Sequence, residues 1–306
     1  MSKAIIAIDK SRSYRVYLTI TTDMVEQART IHQTTSLATA GLGRVLTAAG
    51  LMGIMLKNPQ DKLTVQFKGD GPVRQILATA NGQGQVKGYI ANPGVDLPLT
   101  KEGKLDVGGS LGIGDLRVIK DLGMKEPYIG TIALVNGEIA EDLTAYFYIS
   151  EQQNTSVALG VRIERDHTVD AAGGMIIQML PDAEEGAIDS LEAMIGKLPP
   201  LTTVIRQVDQ NSAGKTEEGR AKALLKEIFQ SVPQEYQPEI LETRDIEWCC
   251  DCNRQRLETA LMSIGEKDLK QIIEEDGQAE LQCQFCLKKY HFNRGDLENM
   301  LEVMTK

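Results

Sequence analysis

Four of the five cysteines in this chain stand as two close pairs near its C-terminus, Cys250-Asp-Cys252 and Cys283-Gln-Phe-Cys286, and none precedes Cys249. Four thiols in two tight pairs, one loop apart, are the arrangement that closes a tetrahedral Zn2+ site. The same thiols can form two short-range disulfides if the metal leaves, so such a site can act as a redox switch. Four thiolates saturate Zn2+ and leave no position for a reactive water. The expected role is therefore structural or regulatory, and not that of a metallohydrolase. Spacing alone leaves the ligand set open: Cys249-x-x-Cys252 can also pair with Cys283-x-x-Cys286, the more usual zinc-knuckle form. His291, five residues past Cys286, is a further conceivable ligand, but it stands in Lys-Lys-Tyr-His-Phe, a strand-like setting that favours a structural histidine. His32 and His167 have no ligand partners close in sequence and read as structural or exposed.

A length of 306 residues accommodates two or three domains, one of them large enough for its own core. The net charge of −10 disfavours a general nucleic-acid or anionic-membrane binder. The apolar run in Met1–Asp9 is too short for a signal peptide. Leu37–Leu56 is long enough to span a bilayer, yet it carries Arg44 and four glycines. It reads as a buried central helix, placing the chain in the cytoplasm, where thiols stay reduced and metal is their resting partner.

The expected fold class is α+β: an N-terminal core domain of mixed sheet and helix (1–181), a helical linker region (182–244) and a small C-terminal zinc-binding redox-switch domain (245–306). In the core, Arg15–Ile20, Lys62–Phe67, Val73–Ala80, Gln85–Ile90, Val157–Glu164 and Met175–Leu180 read as strands. Asp23–Gln33, Ser36–Met55 and Ala140–Gln152 read as helices. Asn81-Gly82 and Asn136-Gly137 suggest type I′ turns, whose two central residues need positive φ. In the linker, Ala183–Ile195 is amphipathic with Ile188, Leu191 and Ile195 on one stripe, and Leu198-Pro-Pro-Leu201 ends it. The polar stretch Gln207–Glu218 follows, then a second amphipathic helix, Arg220–Phe229, bearing Leu224, Leu225 and Ile228. Helices this short need a neighbouring surface. They form either an arm packed on the core or a segment that detaches to present its stripes elsewhere. In the last module, Arg254–Ser263, Lys267–Glu275 and Asp296–Met304 read as helices, and Glu280–Cys283 with Lys288–Phe292 as a hairpin. A piece this small leans on its metal for stability.

Two phosphate-loop lookalikes fail. Gly214-Lys215-Thr216 has Asp209 where a Walker A loop needs its first Gly. Gly108–Gly114 lacks dinucleotide spacing and a long following helix, and reads as a loop. No nucleophile motif such as G-x-S-x-G is present.

With Cys250-x-Cys252, a 30-residue spacer and Cys283-x-x-Cys286 assembled, the chain resembles the redox-regulated bacterial holdase chaperones, the 33-kilodalton heat-shock protein family. The likeness spans the whole chain and includes Phe67-Lys-Gly-Asp-Gly-Pro72, Val86-Lys-Gly-Tyr-Ile-Ala-Asn-Pro93, Glu126-Pro-Tyr-Ile-Gly130, Gly137-Glu-Ile-Ala-Glu-Asp142, Tyr146–Gln152 and Ala172-Gly-Gly-Met175. The resemblance implies Cys250, Cys252, Cys283 and Cys286 as ligands of one Zn2+, with Cys249 extra to the pattern. It implies an ATP-independent chaperone, not an enzyme, that is inactive when reduced and zinc-bound. Activity would follow oxidation to Cys250–Cys252 and Cys283–Cys286 disulfides, with dimerisation. Unfolded clients would bind the stripes at Ile188, Leu191, Ile195, Leu224, Leu225 and Ile228 once the linker is freed. The competing readings are a zinc-ribbon regulatory or nucleic-acid-binding protein and an enzyme. From Asp245 to Lys306, 13 acids against 8 Lys/Arg disfavour contact with phosphate backbones.

Overall fold

The structure, a computed structural model, describes residues 1–211 and 216–305. Gly214 and Lys215 of the failed Walker A lookalike lie outside the described residues. The chain forms two compact units, Met1–Cys249 and Cys250–Lys306, and the fold is α+β.

The first unit is built on one open sheet. Its strands are β1 (Ser2–Asp9), β2 (Tyr14–Ile20), β3 (Lys62–Gly69), β4 (Gln75–Asn81), β5 (Gln85–Ile90), β6 (Gly114–Asp121), β7 (Tyr128–Ala133), β8 (Thr155–Ile163), β9 (Val169–Met179) and β10 (Pro238–Trp248). They lie in the order β7-β6-β3-β4-β5-β10-β1-β2-β9-β8. β10 joins the two halves. It pairs antiparallel with β1 from Ser2↔Ile246 to Asp9↔Pro238, but parallel with β5 only at Glu247↔Gln85 and Trp248↔Val86.

Helices α1 (Thr22–His32) and α2 (Ser36–Ile54) follow β2. Every residue of α2 except Ser36 and Arg44 is buried, against side chains such as Leu63, Val65, Phe67, Ile76 and Val86. Its glycines allow that approach: a Cβ on Gly53 would meet the Cβ of Ala80 at 2.8 Å. Arg44 pairs with Glu138 at 2.6 Å. Among the described residues α2 is the one helix long and apolar enough to cross a bilayer, and protein encloses it as a core helix.

The inner strands are apolar on both faces. Ala4, Ile6, Tyr17 and Ile176 face the α2 layer, whereas Ile5, Ala7, Val16, Leu18 and Ile177 face a second layer. That layer consists of α5 (Glu185–Ile195), α6 (Leu201–Asn211) and α7 (Glu217–Phe229). Pro199-Pro200 ends α5 as expected but also opens α6, which replaces the expected polar coil up to Asn211. Proline fits a helix start because the first N–H groups there have no helical partner. The inward row of α5 is Ala187, Leu191 and Met194. Ile188 and Ile195 are each 37 % exposed, so the expected stripe is rotated away from its centre.

The turns differ from expectation. Asn81–Gly84 closes through Gly84 N–H donating to the Asn81 carbonyl at 3.0 Å, with positive φ at Gly84 and not at Gly82. This matches a three-residue hairpin loop ending in a left-handed glycine, not type I′. Asn136-Gly137 leads from β7 into α4 (Ala140–Ser150), and the buried Asp142 carboxylate gathers N–H groups of Val135, Gly137 and Ile139. Within Gly108–Gly114, residues Val107–Leu111 make a one-turn helix, α3, capped by Asp106 accepting from Gly109 N–H at 2.7 Å.

The second unit contains α8 (Arg254–Met262), α9 (Glu266–Glu275), the hairpin β11 (Gln278–Gln282) and β12 (Lys289–Asn293), and α10 (Arg294–Thr305). Its core is small: Leu261, Leu269, Ile273, Tyr290, Phe292, Leu297 and Met300.

Candidate metal centre

The hairpin presents one pair of cysteines. Gln282↔Lys289 is its last ladder pair before the turn, and Cys283 follows β11 directly. Cys283 N–H donates to the Lys288 carbonyl at 3.0 Å, and Leu287 N–H donates to the Cys283 carbonyl at 2.8 Å. Leu287 takes positive φ to complete the turn. This winding aims Cys283 and Cys286 to one side. Cys250 and Cys252 precede α8, whose cap, Asn253, accepts from Arg256 N–H at 2.9 Å. Capping fixes the chain direction immediately after Cys252.

The sulfurs of Cys250, Cys252, Cys283 and Cys286 all lie within 4.8 Å of one another. Cys250 and Cys283 approach at 3.7 Å, and Cys252 and Cys286 at 3.3 Å. A regular tetrahedron with metal–sulfur bonds of about 2.3 Å has sulfur–sulfur edges of about 3.8 Å. The donor set fits a thiophilic divalent ion such as Zn2+. All five cysteines are free thiols, Cys283 is buried and the others are half-buried.

Proton affinities diverge within the cluster. Burial pushes the Cys250 thiol well up, and burial also raises Cys286. At Cys252 burial opposes ionisation, but hydrogen bonds from Tyr290, Cys286, Cys250 and Cys283 outweigh it and bring the thiol down to about 7. Tyr290 is pushed up to about 12, chiefly by its hydrogen bond to Cys252 and then by burial. Four thiolates this close repel strongly without a cation, so metal and thiolate formation favour each other.

Cys249 is not among the four; its N–H donates to the Val86 carbonyl at 2.8 Å, at the end of β10. His291 lies on β12 with Nδ1 3.2 Å from Glu280 and is exposed. His32 is buried with Nε2 3.1 Å from the Gly88 carbonyl, and His167 faces Ser36 at 2.9 Å. Of the linker residues singled out, Leu191, Leu224, Leu225 and Ile228 are buried against the sheet. The Tyr14 ring stacks on Phe229 with centroids 6.1 Å apart, and the Tyr14 hydroxyl donates to the Tyr236 carbonyl. Sequence reading missed Tyr290. The available signal was its place in β12, one residue before His291 and so on the opposite face.

The family model described as Hsp33 protein matches residues 2–293. A 33 kDa chaperonin of Alkaliphilus oremlandii is 45 % identical over 298 residues, covering 97 % of this chain and 95 % of the relative. One from Clostridioides difficile is 46 % identical over 291 residues, 95 % of each. The crystal structure of the 33 kDa chaperonin of Thermotoga maritima superposes with a TM-score of 0.84 at 32 % identity, covering 99 % of this chain and 98 % of that one.

Proposed function

This chain belongs to the Hsp33 family, and on that premise we propose that it is a redox-regulated, ATP-independent holdase that binds unfolding proteins under oxidative stress. The observation that carries the reading is the four-sulfur cluster within a unit of small core. Cys250, Cys252, Cys283 and Cys286 hold one Zn2+ in the reduced, inactive form. Bound zinc supplies a charge that keeps four sulfurs together as thiolates, and thiolates are the form that peroxide attacks. Oxidation to Cys250–Cys252 and Cys283–Cys286 removes the donors, so the unit loses its main stabiliser.

The client surface in this reading is the second helical layer. Its stripes at Leu191, Leu224, Leu225 and Ile228 are covered by β1, β2 and β9, while Ile188 and Ile195 are already partly open. The sheet of the first unit therefore covers the linker, and release must travel along the chain. β10 ends at Trp248, one residue before Cys249, and its grip on β5 is two residue pairs. Once residues 250–306 melt, that end frays first, and the weakened sheet releases α5–α7. Freed apolar helices bind clients and pair with a second copy, giving an active homodimer in the cytoplasm. The reading invokes no catalytic residue, nucleic acid or membrane.

The test is zinc content, free thiols and suppression of client aggregation before and after hydrogen peroxide, with limited proteolysis alongside. Zinc release, loss of four thiols, gain of activity and first cleavage within 182–244 are expected. Zinc release with those sites protected as before defeats the linker mechanism. Retention of zinc defeats the switch.

A further inference from the structure

The second unit holds three methionines: Met300 belongs to its small core, and Met262 and Met304 pack against that core. Met262 ends α8 and Met300 lies on α10, and a groove of about 280 Å³ runs between the two helices. Both sulfur-bearing side chains line it, together with Glu258, Asp296, Asn299 and Val303. Val303 is 66 % exposed and Met262 is half-buried, so the groove is open to small molecules beside Met262, whereas Met300 is only 6 % exposed. Glu258 and Asp296 are tied to Arg254 at 3.2 and 2.8 Å, and carboxylates accept hydrogen bonds without donating them. Among the described residues on this lining, the exposed Asn299 amide is the one side-chain donor. Such a groove suits a soft thioether and offers little to an oxygen acceptor. Met1 and Met124 differ: both are highly exposed, and neither belongs to a core cluster among the described residues.

We propose that Met262 is a second oxidation site of this unit, whose sulfoxide parts α8 from α10 and weakens the unit's hold on its metal. The proposal rests on the redox reading above for its consequence and adds a site that the cysteines do not supply. In the step concerned, the Met262 sulfur lone pair attacks one oxygen of hydrogen peroxide. A sulfur–oxygen bond forms and the peroxide bond breaks. The departing hydroxide takes the proton of the transferred oxygen and leaves as water. Sulfur is oxidised by two electrons, giving the sulfoxide, and the peroxide is reduced. No thiolate takes part, so a metal on the cysteines does not compete with the reaction. The product is a strong acceptor against hydrocarbon and carboxylates, and a buried acceptor without a donor is costly. Parting the two helices lets water satisfy it and bares Met300 as the next sulfur. A unit with so small a core has little other packing to hold it closed. A thiol reductant that reopens the disulfides leaves the sulfoxide in place, so the unit regrips its metal weakly until a sulfoxide reductase acts.

The experiment treats full-length, zinc-loaded wild type and Met262→Leu with hydrogen peroxide until the exposed Met124 is fully converted, with peptide mass spectrometry mapping every sulfoxide. Dithiothreitol then restores the thiols, zinc is reloaded, and zinc loss to a chelator is timed against each protein's own untreated sample. Wild type should carry sulfoxide at Met262 and lose zinc on the order of tenfold faster than before treatment, from one unsatisfied acceptor. Methionine sulfoxide reductase should return it to the untreated rate. Met262→Leu keeps an apolar side chain of similar volume and should stay within about twofold. Met262→Gln, which puts a polar group in the groove without any oxidant, should lose zinc faster than untreated Met262→Leu. The proposal is overturned if Met262 stays unoxidised when Met124 is spent, or if its sulfoxide leaves the rate unchanged. It is also overturned if Met262→Leu is labilised as much as wild type, or if Met262→Gln is as slow as Met262→Leu. All four results leave the redox reading standing, because that reading is judged earlier, by zinc release during the peroxide treatment itself. A wild type that keeps its zinc and thiols in peroxide defeats the redox reading, and the later chelator rates still decide for or against Met262.

Discussion

Leu225→Asp tests how firmly the helical layer is held. Leu225 is 5 % exposed on α7, packed in the layer over β1 and β2. Removing the buried side chain costs about 2 kcal/mol of burial. The introduced carboxylate enters an apolar cluster, with Lys222 and Lys226 on the rim of the same groove, and to remain docked where Leu225 packs, away from those lysines, it must take up a proton. At pH 7, about three units above an ordinary aspartate, neutralisation costs about 4 kcal/mol. The total of about 6 kcal/mol falls on short helices that depend on the sheet for order, and local opening requires less than global unfolding. The layer should therefore undock while α2 and its strands stay folded. Hydrogen exchange is the assay: amides of 185–229 should lose protection in the reduced, zinc-loaded variant, with 36–54 unchanged. Suppression of client aggregation should rise without oxidant, although the charge weakens client binding at its own position. The carboxylate sets the sign of the pH effect. Lowering the pH to 5 reduces the neutralisation cost to about 1.5 kcal/mol, so protection should partly return. Wild-type protection of 185–229 at pH 7 would refute the reasoning.

Cys286→Ser should abolish stoichiometric zinc and strip exchange protection from 250–306 far more than from the sheet, because the small core depends on its metal; equal loss in both units contradicts this. Cys249→Ser should retain one zinc per chain by direct metal analysis, since Cys249 stands outside the four-sulfur cluster.

The parts visible in the sequence share a local cause. Strands such as Lys62–Phe67 and Gln85–Ile90 alternate because one face is buried and the other open. β1 escaped notice because Ala4-Ile-Ile-Ala-Ile8 is covered on both faces, and a two-sided strand reads as an unbroken apolar run. β10 escaped for the opposite reason. Pro238–Trp248 is half-buried or exposed apart from Ile246, its one buried side chain, and it is a strand because β1, more than 200 residues earlier, offers it an antiparallel ladder interrupted by one register shift. α6 was hidden behind Pro199-Pro200, which ends one helix and starts the next.

The sequence by itself determined the two close groups of cysteines, the α+β class and the amphipathic character of α5 and α7, and left open whether Cys249 or Cys250 joins Cys252. Ligand spacing and helical periodicity are short-range properties, set by residues a few positions apart. Tertiary structure decided what those features face. It placed α5–α7 on the outer face of β1, β2 and β9, turned Ile188 and Ile195 away from the centre of that contact, and made β10 the joint between two half-sheets. It also brought Tyr290 to Cys252 across 38 residues. These outcomes depend on strand register and on which distant surfaces bury the most apolar area together. No local pattern encodes that choice, because its energy belongs to pairs of segments and not to either one.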